Sequence, residues 1–512
     1  MVESFFGSFF TKKELLAFFG GRRALAAVAL GAISALALPP FTLVPSLLIA
    51  LPGLLSLLRG QTLRSAAVTG FWFGFGQHVP GLYWITDAIL IEADTFWWVV
   101  PFAVPGLAAV LALFIALPCA LASLMPEGWP RVLALAGLWG LADLARQFVA
   151  TGFPWNPLGS AWEMPGAVGD WFIQPAALVG VHGLTVLTLL LASTPALGRR
   201  AMIGGFVLVL AWGGFGVWRM GTALLPGPAL DVVLVQGNVP EQAKRSRADA
   251  VRNFETHLRL TREGIDRAAG HASVVLWPET ASPYLLTQDA NARAAVAAAA
   301  AGPALVGSVR FDEAGRPRNS LIAMDGPGPP VSVYDKSHLV PFGEFEPSWI
   351  ALSFRAMPGG GFAPGPGPQT VRMNGIPPVG LLICYEVIFP SAVIDGGDRP
   401  AWMANITNDA WFGNSSGPRQ HLAAARMRAV EEGLPLMRAA NTGISAGFDA
   451  FGHELGRIGM DRADVLVVAL PGALPATWYA RFGLWLPLGL DAAVLLLAAM
   501  LALSGRRKIE IL

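Results

Sequence analysis

The sequence predicts a multi-span α-helical membrane domain joined to an α/β domain that lies outside the cytoplasm. Three observations predict it. Of 512 residues, 54% are hydrophobic and 14% charged, whereas soluble domains carry about 25% charged residues. The apolar runs crowd into the first 219 residues and return once near the C-terminus. Between them, the stretch 220–480 has ordinary globular composition and short β-branched runs. A net charge of +1 provides no basic field for nucleic acid. Two cysteines make no disulfide framework.

The candidate spans are 24–41, 43–58, 66–85, 96–124, 131–149, 172–194, 201–218 and 484–504. Most reach the roughly 20 residues that a helix needs to cross a bilayer. The 43–58 run is short and interrupted by Pro45 and Pro52. A weaker apolar patch at 5–10 and 15–20 is split by Lys12 and Lys13. It reads as an interfacial or re-entrant segment. Arg22 and Arg23 follow it and no A-x-A site ends it, which argues against a cleaved signal peptide.

Basic residues set the orientation. Lys12, Lys13, Arg22 and Arg23 precede the first span, and Arg59 and Arg64 follow the second. Arg131, then Arg199 and Arg200, then Arg506, Arg507 and Lys508 mark every second loop thereafter. By the positive-inside rule that side is cytoplasmic. Eight spans then place both termini in the cytoplasm of a cell with a bacterial inner (plasma) membrane, and put 220–480 in the periplasm. The expected domains are 1–219 with seven spans, 220–480, and 481–512 with the last span and its tail. Asp143, Arg146 and Asp491 lie within spans and are functional candidates by default. Asp143 and Arg146 are also spaced i,i+3 and could simply pair. His182 reads as a packed polar residue and Cys119 as a small packing residue. Trp97, Trp98, Trp155, Trp171, Trp478 and Trp485 lie near span ends, as interfacial anchors do.

In the α/β stretch, the runs 230–238, 272–280, 304–311, 379–386 and 402–413 are short and continuously apolar, as strands buried on both faces are. Alanine- and arginine-rich stretches at 242–269, 291–301 and 420–440 read as helices. This alternation predicts an α/β domain. The glycine–proline stretch 357–369 reads as a mobile loop and a candidate lid. Several strands end on polar or reactive residues: Gln236 and Asn238, Glu279, Cys384 and Glu386, Asn408 and Asp409. Sites in α/β sheets are built at the carboxyl ends of strands.

Cys384 is a lone thiol outside the cytoplasm, with no intramolecular partner evident in the sequence. A thiol attacks as thiolate, and its free pKa is about 8.5, so a carboxylate that accepts its proton is needed. Glu279 in "WPET" and Glu344 in "YDKSHLVPFGEFEP" supply carboxylates, and Lys336 supplies a cation for a developing oxyanion. Each residue also has a plainer reading. Cys384 could be an inert core thiol, Glu279 a solvated turn residue and Lys336 a surface lysine. Glu386 could pair with an arginine of 420–440.

"WPET", "YDKSHLVPFGE", "ICYE" and "ITNDAWFG", with "TGFPWNPLG" and "VQGNVP", resemble the nitrilase superfamily. Together with the membrane portion they resemble its membrane-bound branch, the apolipoprotein N-acyltransferase family, across essentially the whole chain. The resemblance implies an αββα sandwich with a Glu–Lys–Cys triad. Cys384 would be the nucleophile, Glu279 the general base, Lys336 the oxyanion stabiliser and Glu344 a supporting carboxylate. Tyr385 and Glu386 would help shape the acyl pocket. The implied reaction moves an acyl chain from a phospholipid, of which phosphatidylethanolamine is the expected one, through a Cys384 thioester. The acceptor would be the N-terminal amine of a diacylglyceryl-cysteine apolipoprotein. No cofactor, metal or nucleic acid is implied, and the enzyme is expected to act as a monomer. No P-loop, HExxH or CxxC motif occurs. One departure stands out: where the family commonly has a Lys–Trp pair, this sequence has Lys244 and Arg245. Two other classes remain open here. One is a membrane-tethered amidase with water as acceptor. The other is a transporter with an outer binding domain, disfavoured by few intramembrane charges and no inverted repeat.

Overall fold

The computed structural model describes residues 21–91, 93–222, 226–240, 247–347 and 361–509. The expected segment 5–20 and the Lys244–Arg245 pair lie outside these residues. The chain divides into two compact units. One comprises Met1–Met164, Val181–Gly214 and Trp485–Leu512; the other comprises Pro165–Gly180 and Phe215–Leu484.

The first unit is helical. Among the described residues, four helices are long and apolar enough to cross a membrane: Ala93–Ala122, Ala176–Leu197, Arg199–Met220 and Trp485–Ser504. Shorter helices cover Arg22–Ala35, Leu47–Leu57, Leu63–Gly81 and Trp129–Ala145. The first expected span, 24–41, is helical only to Ala35 and then turns. Pro39 and Pro40 lack the amide hydrogens that would continue it. The expected 172–194 span is two helices, Gly166–Ile173 and Ala176–Leu197, and Gly180 within the latter is left-handed (φ 65°). Arg22–Ala35 and Leu63–Gly81 approach closely: a Cβ on Gly31 would lie 2.0 Å from the Phe73 carbonyl oxygen. Only glycine permits that crossing.

Leu47, Leu51, Leu54, Phe73, Cys119, Leu135 and Trp139 form the core of this unit. Cys119 is fully buried there, as a packing residue is. Asp143 and Arg146 do pair, at 3.1 Å and both buried. Asp143 also accepts from the Leu158 amide and the Thr185 hydroxyl, and Arg146 donates to the Phe153 and Trp155 carbonyls. These bonds fold the "TGFPWNPLG" segment onto the helices. His182 and Asp491 are fully buried. Trp97, Trp98, Trp171, Trp478 and Trp485 are exposed, as anchors would be. Trp155 is not: it is buried, with its ring 4.7 Å from that of Trp84.

The second unit is built on two six-stranded sheets. The first contains β1 (Asp231–Gln236), β2 (Ser273–Leu276), β3 (Ala304–Phe311), β4 (Pro317–Met324) and β5 (Ser332–Asp335). The second contains β6 (Thr370–Met373), β7 (Ile376–Ile383), β8 (Trp402–Thr407), β9 (Leu436–Ala440), β10 (Ser445–Phe448) and β11 (Glu454–Ile458). Strand β12 (Asp464–Ala469) returns to the first sheet. The orders are β12-β1-β2-β3-β4-β5 and β11-β10-β9-β8-β7-β6. The central strands β1-β2-β3 and β7-β8-β9 are parallel.

Strand parity produces the layers. Val232, Leu234, Val274 and Leu276 of the first sheet share one core with Val379, Leu381, Ile383, Ala404 and Ile406 of the second. Their neighbours Val233, Val235 and Val275 face the other way. They pack with Phe254, Leu258 and Val296 of the helices Arg247–Arg267 and Ala290–Ala300. The helix Gly417–Glu432 packs on β9. The result is an αββα sandwich. The expected helix 420–440 is corrected: it ends at Glu432 and 436–440 is strand β9. Gly433 takes the left-handed C-cap (φ 66°), and Pro435 follows, so the helix cannot continue.

Candidate active site

The carboxyl ends of β2, β5, β7 and β8 bring the expected residues together. Trp277 and Pro278 carry the chain from β2 to Glu279. Its Oε1 accepts from Lys336 Nζ at 3.1 Å and from Asn319 Nδ2 at 2.7 Å. Its Oε2 accepts from the Asn408 amide, just past β8, at 2.8 Å. Lys336 follows β5 directly and is 1% exposed. Its ammonium also reaches a Glu344 carboxylate oxygen at 2.8 Å. Glu344 is held in turn by the Val340 amide at 2.8 Å and Asn319 Nδ2 at 2.9 Å. The solvated-turn and surface-lysine readings therefore do not hold.

Burial alone would pull Lys336 down, since it penalises the charged form. Glu279, then Glu344, outweigh burial and hold the ammonium well above the ordinary lysine range. Cys384 sits immediately after β7, almost buried, at the start of a 3₁₀ turn. Its φ is 52°, a left-handed conformation that costs a non-glycine residue about 1–2 kcal/mol. Burial pushes its thiol up, Glu279 adds to this, and Lys336 opposes it. One ammonium between two carboxylates leaves the cluster with an excess negative charge, so a standing thiolate would be a second buried anion. The arrangement favours a neutral thiol that loses its proton as it attacks.

Glu386 pairs with no arginine of the following helix. Its Oε1 accepts from Tyr334 Oη at 2.8 Å and from the Ser337 amide and hydroxyl, each at 2.7 Å. Its Oε2 accepts from the Ile383 amide at 2.7 Å. One buried carboxylate thus ties the residue after Lys336 to the residue before Cys384. Tyr385 is buried edge-on to Phe389. The part of the glycine–proline stretch within the described residues is pinned to the site. Phe362 donates to the Glu344 carbonyl and Gly365 to the Lys336 carbonyl, each at 2.8 Å. A Cβ on Gly365 would lie 2.1 Å from the Asp335 carbonyl oxygen. The stretch 348–360, which includes the first part of the expected lid, lies outside the described residues.

Sequence reasoning missed Asn319, Tyr334, His421 and Arg438. Asn319 bridges Glu279 and Glu344. His421 donates to the Cys384 carbonyl at 3.1 Å. Polar residues inside otherwise buried strands or a buried helix face were the available signal: Asn319, Arg438 and His421 are at most 2% exposed.

An αββα sandwich with a carboxylate–lysine–cysteine cluster at its strand ends defines the carbon–nitrogen hydrolase class, and residues 232–477 match the Carbon-nitrogen hydrolase family. Residues 30–194 match the Apolipoprotein N-acyltransferase N-terminal domain. The sequence is 40% identical to an apolipoprotein N-acyltransferase of Bradyrhizobium diazoefficiens, over 95% of this chain and 96% of that protein. It is 39% identical to one of Rhodopseudomonas palustris, over 96% of each. The chain belongs to the apolipoprotein N-acyltransferase family. Among solved structures, an amidase of Nesterenkonia AN1 from the nitrilase superfamily is similar at 21% identity and a TM-score of 0.36, covering 49% of this chain and 94% of that one.

Proposed function

We propose that this protein is an acyltransferase that takes an acyl chain from a phospholipid onto Cys384 and passes it to the N-terminal amine of a diacylglyceryl-cysteine apolipoprotein. The observation that carries this reading is the Lys336 ammonium held between Glu279 and Glu344, beside Cys384. In the first half-reaction Cys384 Sγ attacks the ester carbonyl carbon while Glu279 takes the thiol proton. Lys336 faces the oxyanion. The C–O bond breaks, Glu279 returns the proton to the departing lysophospholipid oxygen, and a thioester remains. In the second half-reaction the amine attacks the thioester, Glu279 accepts its proton, and the C–S bond breaks to release the amide. The thiolate recovers the proton. A thioester is a better acyl donor than an oxygen ester, so one slow transfer becomes two easier ones.

Glu344 supports Lys336, and Glu386 and Tyr385 shape the acyl side of the nucleophile. No cofactor enters these steps. The proposed setting is eight spans in a bacterial inner membrane: seven within 1–219 and one within 481–512. Both termini are cytoplasmic, the catalytic domain 220–480 is periplasmic, and the enzyme works as a monomer. The spacing of basic loops and the lipid nature of both substrates support it. Intact-mass measurement after mixing the purified chain with phosphatidylethanolamine vesicles tests the chemistry. The expected result is one acyl adduct on Cys384, discharged by a diacylglyceryl lipopeptide with a free amine and absent in Cys384→Ala. An adduct that water discharges equally fast would make the protein a hydrolase, and no adduct would defeat the reading.

A further inference from the structure

Behind the nucleophile lies a buried polar chain that the proposed mechanism does not use. It runs across three parallel strands at one level, where Leu382 of β7, Asn405 of β8 and Arg438 of β9 are register partners. Asn405 Nδ2 donates to the Leu382 carbonyl at 3.4 Å, and Arg438 Nη1 donates to Asn405 Oδ1. Arg438 Nη2 donates to Asp409 Oδ2 at 2.8 Å and lies 3.1 Å from His421 Nδ1. Asp409 Oδ1 accepts from the Thr407 hydroxyl at 3.0 Å. His421 Nε2, on the helix Gly417–Glu432, is 3.1 Å from the Cys384 carbonyl oxygen. The chain that leaves β7 at Leu382 thus returns to it two residues later, on the nucleophile's own carbonyl.

Burial, then the Arg438 cation, hold His421 below the ordinary histidine range, against the opposing pull of Asp409. Burial would raise Asp409, but Arg438 and His421 bring it to about 2. Arg438 and Asp409 form a buried ion pair at 2.8 Å, with the imidazole beside it. The Cys384 carbonyl can only accept, so the Nε2 that faces it carries a proton and donates. His421 Nδ1 lies 2.9 Å from Asp409 Oδ1 as well as 3.1 Å from Arg438 Nη2.

We propose that His421 is a positioning residue for acyl transfer: by holding the Cys384 carbonyl it fixes the Cys384–Tyr385 peptide plane, so that the Tyr385 N–H faces the oxyanion formed at Cys384. The inference rests on the acyl-transfer reading above. In a trans peptide the carbonyl and the following N–H point in opposite directions. A bond that fixes one therefore aims the other. The left-handed φ of Cys384 needs such a fixture, because the unstrained alternative turns that plane away.

The test separates reactions that form an oxyanion from those that do not. In the full-length protein in detergent, p-nitrophenyl butyrate acylates Cys384 through a tetrahedral oxyanion. Iodoacetamide alkylates the same sulfur with no oxyanion. Peptide mass mapping distinguishes Cys384 from Cys119. His421→Leu keeps the bulk and loses the donor, and is expected to slow the p-nitrophenol burst by about ten- to a hundredfold. The alkylation rate should stay at the parent value. His421→Gln places an amide donor near the Nε2 position and should recover most of the burst. His421→Asn is too short to reach the carbonyl and should behave like the leucine variant; it replaces that variant if Leu does not accumulate as folded protein. Parent-like bursts in the Leu or Asn variants overturn the proposal. So does a parallel fall of burst and alkylation, which marks a merely structural role. If the parent alkylates but gives no burst, the acyl-transfer reading falls and the proposal with it.

Discussion

At the scale of the residue, the site is a question of charge balance. Lys336 has two carboxylate neighbours and is almost fully buried. Its folded-state pKa lies well above the ordinary value because Glu279 and Glu344 overcome burial. Such a raised cation contributes stability that is complete below the unfolded lysine pKa of about 10.4 and is lost as pH rises through the folded value. Glu344→Gln removes one of the two carboxylates while keeping an oxygen for the Val340 amide. Lys336 should then lose its proton at lower pH than in the parent. The pH–rate profile of Cys384 acylation checks this: its alkaline limb should move down, with roughly a tenfold loss at the optimum. An unmoved limb would mean that Lys336 does not carry the oxyanion. Glu279 and Cys384 stand out in the sequence at the ends of apolar runs, whereas Lys336 and Glu344 were singled out in "YDKSHLVPFGEFEP" and took their expected roles from the nitrilase resemblance. Asn319 was not legible. In "PRNSLIAM" it looks like any strand residue, and it gains its role only from the antiparallel register that sets β4 between β3 and β5.

At the scale of the element, the helix Gly417–Glu432 and the strand after it show where sequence reading stops. Alanine and arginine continue through Arg438, Ala439 and Ala440, so composition alone extends the helix. The stop lies in Gly433 and Pro435, and the strand is revealed only by its parallel pairing with β8. The same helix ends on Glu432, which is 2% exposed. Burial, then the neighbouring Glu431 charge, raise its carboxyl to about 7, against the opposing pull of Arg428 and Arg399. A carboxyl raised in this way favours the folded state below its unfolded pKa, and the advantage is lost as pH rises through about 7. Above that, the native state holds a costly buried charge. Glu432→Gln should therefore stabilise the protein at pH 8, by at most roughly 3 kcal/mol, and far less at pH 5. Thermal midpoints of the full chain at the two pH values measure it. Equal differences at both would remove Glu432 as the titrating group.

At the scale of the whole molecule, the αββα layers were implied by the nitrilase resemblance and follow physically from strand parity. The membrane layout rests on a different kind of signal. Charge asymmetry between loops acts on insertion, not on the folded chain, so it can be read without knowing any helix boundary. Length and apolarity together pick out only four helices among the described residues. The rest are shorter, or, like Leu63–Gly81, carry the polar and small residues Thr69, Gln77 and His78. Residues of that kind are tolerated in a bilayer when they face other helices, and Thr69, Gln77 and His78 are all buried. Eight spans therefore predict a sidedness that can be measured. Ala314 lies in the exposed turn between β3 and β4, and Glu127 is exposed between the helices Val100–Ala122 and Trp129–Ala145. Both native cysteines are buried, so a new surface thiol should dominate labelling. In intact Gram-negative cells, an impermeant maleimide small enough to pass outer-membrane porins should label Ala314→Cys. It should label Glu127→Cys only after the inner membrane is permeabilised. The reverse pattern would put the catalytic domain in the cytoplasm. Labelling of both in intact cells, unchanged by permeabilisation, would mean an even number of spans between residues 127 and 314 instead of the three expected at 131–149, 172–194 and 201–218, and would overturn the cytoplasmic assignment of the Arg131 loop.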